Sequence, residues 1–195
     1  MKKTVIALAL AYVGAFSFAV PAQQRADDGP QLNGDTLTRP ANYREWIFLS
    51  SGIGMTYAPG GAPANAPQVF DNVYVNPPAY RGFLETGRWP DRTIFILEQR
   101  ASATEGSIVT GGRFQTRLAG MEAHVKDARL PGGWAFYAFG GGAQMRDAAA
   151  PLSGNVVAGC VECHAKNTAV EETFVQFYPT LLDVARAKGT VKPGF

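Results

Sequence analysis

The spacing of hydrophobic and polar positions changes several times along the chain, and each change predicts an element. A positive start, Met1-Lys2-Lys3, is followed by an uncharged apolar run from Thr4 to Val20 and by Val20-Pro21-Ala22. This is the pattern of an export signal cut after Ala22, so residues 1–22 are expected to be removed, not folded. A membrane anchor would need a longer run with stop-transfer charges directly behind it. Residues 23–40 are polar and broken by Gly29, Pro30, Gly34 and Pro40. They predict an extended lead-in, and residues 41–195 a single domain.

Within that domain Tyr43, Trp46 and Ile47 recur at i, i+3, i+4 and predict a short helix ending at Ser50-Ser51-Gly52. A loop rich in Gly, Ala and Pro runs from Ala58 to Pro67. Val69 to Val75 has the β-branched and aromatic content of a strand, stopped by Asn76-Pro77-Pro78. Pro78, then Tyr80, Phe83 and Leu84 on one face, then Gly87, predict a short helix with both end signals. From Thr93 to Arg100 the residues alternate, with Phe95, Leu97 and Gln99 on one side and Ile94, Ile96 and Glu98 on the other. Apolar groups on both sides predict a central strand.

Phe114 to Lys126 and Trp134 to Phe139 predict two further strands around the turn Pro131-Gly132-Gly133. Such short links make antiparallel neighbours the simplest arrangement. Gly140-Gly141-Gly142 ends the sheet, and Leu181, Leu182, Val184 and Ala185 suit a closing helix over Pro179 to Ala187. The fold class is therefore mainly β: an antiparallel sheet with a few short helices.

Composition narrows the class further. The 195 residues are 46% apolar and 17% charged, enough for one core, and 22 Gly with 13 Pro speak against a helical bundle. Eighteen basic against 16 acidic residues, with no long run of either sign, make nucleic acid a poor partner. Signal cleavage would remove Lys2 and Lys3 and no acid, leaving a near-neutral exported domain without a membrane segment, expected in the periplasm.

Chemistry concentrates at Cys160-Val161-Glu162-Cys163-His164, which carries the only two cysteines. This is the attachment pattern of a c-type haem. Two thiols two residues apart add to the two vinyl groups, and the adjoining imidazole becomes an axial ligand of the iron. A disulfide would leave His164 unexplained. Zinc would need two more ligands, with His124 the only other histidine, and a redox pair would expect a strand-to-helix context that Leu152 to Gly159 does not offer. No Met follows His164; Met55, Met121 and Met145 are read as packing residues, and His124 as a strand histidine, so the iron is expected to keep one open face.

Several blocks in order resemble the cytochrome P460 family, to which the β-type cytochromes c′ are related. They are Tyr43-Arg44-Glu45-Trp46, Asn72-Val73-Tyr74-Val75-Asn76-Pro77, Thr86-Gly87-Arg88-Trp89-Pro90-Asp91, Val125-Lys126-Asp127, Gly133-Trp134-Ala135-Phe136-Tyr137, the haem motif, and Phe174-Val175-Gln176-Phe177-Tyr178-Pro179. The resemblance runs from about Tyr43 to Pro179. It implies an antiparallel β fold, often a homodimer, with one covalently attached haem c, thioether links at Cys160 and Cys163, and His164 as the iron ligand. In hydroxylamine-oxidising members it also implies a lysine bonded to the porphyrin edge. By the register of the Thr-Gly-x-x-x-Asp block that lysine falls where this chain has Leu97.

If Leu97 faces the haem, Phe95 and Gln99 do too, and the open face meets apolar groups and at most one amide. That environment suits NO or CO. Oxidation of hydroxylamine would need a positioned base. Glu98 and Arg100 are expected to form a salt bridge or a solvated edge, Lys126 to be a solvated strand-end charge, and Glu171-Glu172 to be a solvated face, with orientation of a redox partner as its alternative. The resulting expectation is a periplasmic monohaem c-type cytochrome that binds small nitrogen oxides or passes electrons to a redox partner. A hydroxylamine-oxidising enzyme and a six-coordinate electron carrier are the alternatives.

Overall fold

The structure, a computed structural model, describes residues 28–56, 61, 63, 65–106, 108 and 110–195. The expected export signal lies outside these residues. The chain forms β1 (Leu32–Asn33), β2 (Thr36–Thr38), β3 (Ile47–Ile53), β4 (Val69–Val75), α1 (Pro77–Thr86), β5 (Thr93–Ala103), β6 (Phe114–Lys126), β7 (Trp134–Gly140), β8 (Ala148–Ala149), α2 (Gly154–Asn167) and α3 (Pro179–Ala187). Strands β3 to β7 make an antiparallel meander in sequence order, with β5 at its centre. A small antiparallel sheet, ordered β1-β2-β8, stands beside it. The mainly β class is what the alternation had predicted.

Two elements at the start of the domain differ from the sequence reading. Tyr43–Glu45 is a single 3₁₀ turn, and Ile47 opens an edge strand where a helix was expected. The turn buries Tyr43 and Trp46 together, which reproduces the helical spacing without a helix. The lead-in is also not idle: Leu37 on β2 is fully buried in the core.

Each face of the main sheet carries its own apolar cluster. Ile94, Ile96, Met121 and Val125 pack with Leu37, Tyr43, Trp46 and Tyr137 on one face. Val75 and Phe95 pack on the other with Phe83 of α1, Trp89, Tyr178, and Leu181 and Ala185 of α3. Phe83, Trp89 and Phe95 form an aromatic cluster with centroid spacings of 4.2 and 4.7 Å, the second pair edge-on.

Helix α1 starts at Pro77 and stops at Gly87, whose φ of 71° ends it in the left-handed region. Asn76 does not cap the helix with its side chain. It ties the helix start to β5 instead, accepting from the Ile94 amide at 3.0 Å and donating to the Arg92 carbonyl at 3.1 Å.

Glu98 is wholly buried on the first face. Its Oε1 accepts from Tyr43 Oη at 2.6 Å and Arg100 at 2.9 Å and pairs with Arg44, and its Oε2 accepts from Asn72 at 3.1 Å. Burial alone would raise this carboxyl. The hydrogen bonds from Arg100, Tyr43 and Asn72, with the Arg100 charge, outweigh it and bring the pKa down to about 2.

Candidate functional site

The second face of the sheet presents two rows of side chains toward the C-terminal region. One row follows the pairings Val75 to Phe95, Phe95 to His124 and His124 to Phe136, and the next follows Val73 to Leu97 and Leu97 to Glu122. Opposite them lies α2, which carries Cys160, Cys163 and His164. Between the two is a cleft of about 550 Å³ whose walls include Met55, Asp71, Leu97, Gln99, Glu122, Cys160, Cys163, His164 and Phe174. A deeper recess of about 120 Å³ adds Phe95, His124 and Tyr178. Cys160, Cys163, His164 and Leu97, far apart in sequence, therefore share one cleft, and Phe95 lines the recess that shares Leu97 and His164 with it.

Helix α2 is unusual in that none of its fourteen residues is buried. Its small residues, from Gly154 to Gly159, gave no periodic signal, which is why the sequence suggested only a lead-in to the motif. The helix places the two cysteines at i and i+3, hence on one face, and both thiols are free. Burial first, then the Glu122 charge, push the Cys160 thiol up. A redox-active pair would need the opposite shift.

His164 is held by a loop built for the purpose. Thr173 donates its amide to the Val170 carbonyl at 2.9 Å, and Glu171 sits at a φ of 50°, a strained value for a residue with a side chain. Glu171 is fixed there by Lys126, which donates to its Oε1 at 2.9 Å and to the Trp89 carbonyl at 2.7 Å. Thr168, at the end of α2, bonds the His164 and Glu171 carbonyls, and Lys192 donates to Thr168 Oγ1 at 3.0 Å. The turn aims the Glu172 carbonyl at His164, whose Nδ1–H donates to it at 2.7 Å. That bond fixes the tautomer and leaves the Nε2 lone pair for a ligand bond. Burial holds the His164 pKa below the ordinary value, so the ring is neutral, as an iron ligand must be. Lys126 and Glu171 are therefore paired parts of this loop and not solvated charges, and Glu172 contributes its backbone carbonyl.

Aromatic rings surround the imidazole: Phe174 at 4.7 Å, Phe136 at 4.8 Å and His124 at 4.9 Å between centroids, all edge-on. His124 is buried and stacked on Phe136 at 4.1 Å, and burial, then the neighbouring His164, hold its pKa well below the usual range. Its Nε2 is a buried polar atom without a hydrogen-bond partner, and lies 4.0 Å from Glu172 Oε2.

The sequence reading missed two cleft residues. Asp71 and Glu122 both face this space, so it is not lined by apolar groups and one amide alone. Burial raises both carboxyls, and Glu122 is raised further by the Asp71 charge. Glu122 pairs with Leu97 across β5 and β6, and strand alternation from His124 would have placed it here once that register was known. Met121 is buried on the opposite face and Met145 packs beside it, so neither reaches the cleft, whereas Met55 does.

The residues fit a haem. Two free thiols and an imidazole with one committed nitrogen open onto one large, partly aromatic space, beside an orphaned buried nitrogen and beneath a helix that buries nothing. Among the described residues no group of three or more His, Cys, Asp or Glu is placed to hold a metal ion. Nor is any described helix long and apolar enough to cross a membrane. Comparison with known proteins gives a match of residues 40–175 to the family model described as cytochrome P460. No curated protein matches the chain.

Proposed function

The chain belongs to the cytochrome P460 family and is a haem cytochrome of that family, and from this premise we propose that it is an exported monohaem c-type cytochrome with one open iron face for small nitrogen oxides. Cys160 and Cys163 would carry the thioether bonds, each S–H adding across a vinyl group with no atoms lost. His164 Nε2 would ligate the iron. Haem supplies reversible ligand binding and one-electron chemistry, while the side chains hold, orient and shield it. The Glu172 carbonyl keeps the imidazole in the ligating tautomer, and Phe136 and Phe174 keep water from the proximal side. The observation carrying this reading is the meeting of both thiols and the tautomer-fixed His164 on one cleft.

Leu97 borders the cleft at the position expected for the crosslinking lysine, and no lysine is among the described residues lining it. We therefore read the haem as joined through the two cysteines alone. One observation favours a second reading, oxidation of hydroxylamine: Glu122, with its raised carboxyl, is a group in the cleft able to take a proton. Mass spectrometry of the protein matured in a host that attaches haem separates the two readings. The first expects apoprotein plus one haem, with the modified peptide spanning Cys160 to His164. A further loss of hydrogens, with haem bonded to another strand, would contradict it. Hydroxylamine-dependent reduction of an electron acceptor, abolished by Glu122→Gln, would establish the second.

A further inference from the structure

Asp71 and Glu122 enter the cleft from two strands of the sheet, β4 and β6, on the side that also presents Leu97 and Gln99. Gln99 donates to Asp71 Oδ1 at 3.2 Å, which holds that carboxyl in place over the sheet. Neither Lys nor Arg is among the described residues lining the cleft or its recess. Arg100 is engaged with Glu98 on the opposite face, and Lys126 with Glu171. Among the described side chains lining the cleft, the two carboxyls therefore stand with no lysine or arginine beside them.

We propose that Asp71 and Glu122 act as a charge filter on the haem cleft, admitting neutral or cationic small ligands to the iron and repelling anions. The inference rests on the reading that haem occupies this cleft with one open face, and it names the ligand class that face accepts. Two charges separated from an incoming anion by a few ångströms of partly desolvated space act strongly, because the local dielectric is well below that of water. The two carboxyls already disfavour each other's charge, as the effect of Asp71 on Glu122 indicates, and a third negative charge meets the same opposition. Nitrite, azide and fluoride would thus be excluded, whereas NO, CO and hydroxylamine carry no charge to repel. Asp71 and Glu122 are specificity-determining residues here, and no proton transfer is asked of them.

The test uses the haem-loaded protein at pH 8. Azide and imidazole are titrated against the ferric form, and CO against the ferrous form, each followed by the absorption spectrum. In the unaltered protein, raising ionic strength from about 0.01 M to about 0.5 M should tighten azide binding several-fold and leave imidazole unmoved, because screening weakens repulsion. In Asp71→Asn/Glu122→Gln, the ratio of azide to imidazole affinity should rise roughly tenfold or more. An azide affinity insensitive to salt, with an unchanged ratio in the double variant, would overturn the filter. Failure of the ferrous protein to bind CO would overturn the open face itself, a separate result visible before any anion is added.

Discussion

At the scale of single residues, Glu98 shows how strongly side chains are specified on the face away from the cleft. Four partners hold one buried carboxylate there, and its depressed pKa contributes stability that is complete above the unfolded value near 4.5. That stability is lost as pH falls from about 4.5 toward about 2, and it amounts to about 3 kcal/mol. Glu98→Gln should therefore lower the unfolding free energy at pH 7 by about 3 kcal/mol and flatten the acid limb of the stability curve. Denaturant midpoints measured between pH 2 and pH 7 check this, and a variant as stable as its parent at pH 7 would contradict it. Glu98 and Arg100 were readable as a pair from strand alternation. Glu122 was not, because seeing it in the cleft needs the cross-strand register with Leu97, and one strand's alternation says nothing of its neighbour's.

At the scale of elements, end signals made α1 legible from the sequence. Its terminal Gly87 leaves no room for a side chain: a Cβ there would meet Lys188 Cβ and Thr190 Oγ1 at 2.7 Å, with φ already positive. Gly87→Ala should destabilise the protein by about 1–2 kcal/mol, seen as a lower melting temperature. Strands β4, β5 and β6 were equally legible from their β-branched and aromatic content, although bulges near residues 99–102 shift the register between β5 and β6. The segment after Asn42 misled because a 3₁₀ turn followed by a strand places Tyr43, Trp46 and Ile47 at helical spacing. Helix α2 was illegible for a different reason. A helix packed on protein shows a periodic apolar stripe, and α2 buries no residue of its own. On the proposed reading its stability comes from a haem attached at Cys160 and Cys163. Hydrogen exchange should find α2 amides unprotected in Cys160→Ser/Cys163→Ser protein made without haem, while β5 and β6 stay protected. In the haem-loaded protein α2 should be protected too, and equal protection in both forms would contradict this.

At the scale of the whole molecule, the sheet divides the labour between its faces. One face is sealed by the N-terminal hairpin and the buried Glu98 cluster. The other is partly covered by α1 and α3, and the remainder is left as a cleft closed by α2 and the loop that holds His164. The family resemblance in the sequence and the match over residues 40–175 agree with this arrangement. The motif offers an attachment point for the proposed haem, and the fold adds which side chains line the cleft beside it. Because His164 offers one ligating nitrogen, and Met55 is the only methionine among the cleft-lining residues described, everything else turns on whether the iron's second face is open.

Titration of the reduced, haem-loaded protein with CO, followed by absorption spectroscopy, addresses that face directly. A saturable shift of the Soret band with one CO bound per haem is the predicted result. A spectrum unchanged by CO, in protein whose haem is fully reduced, would show both axial positions filled and contradict an open face.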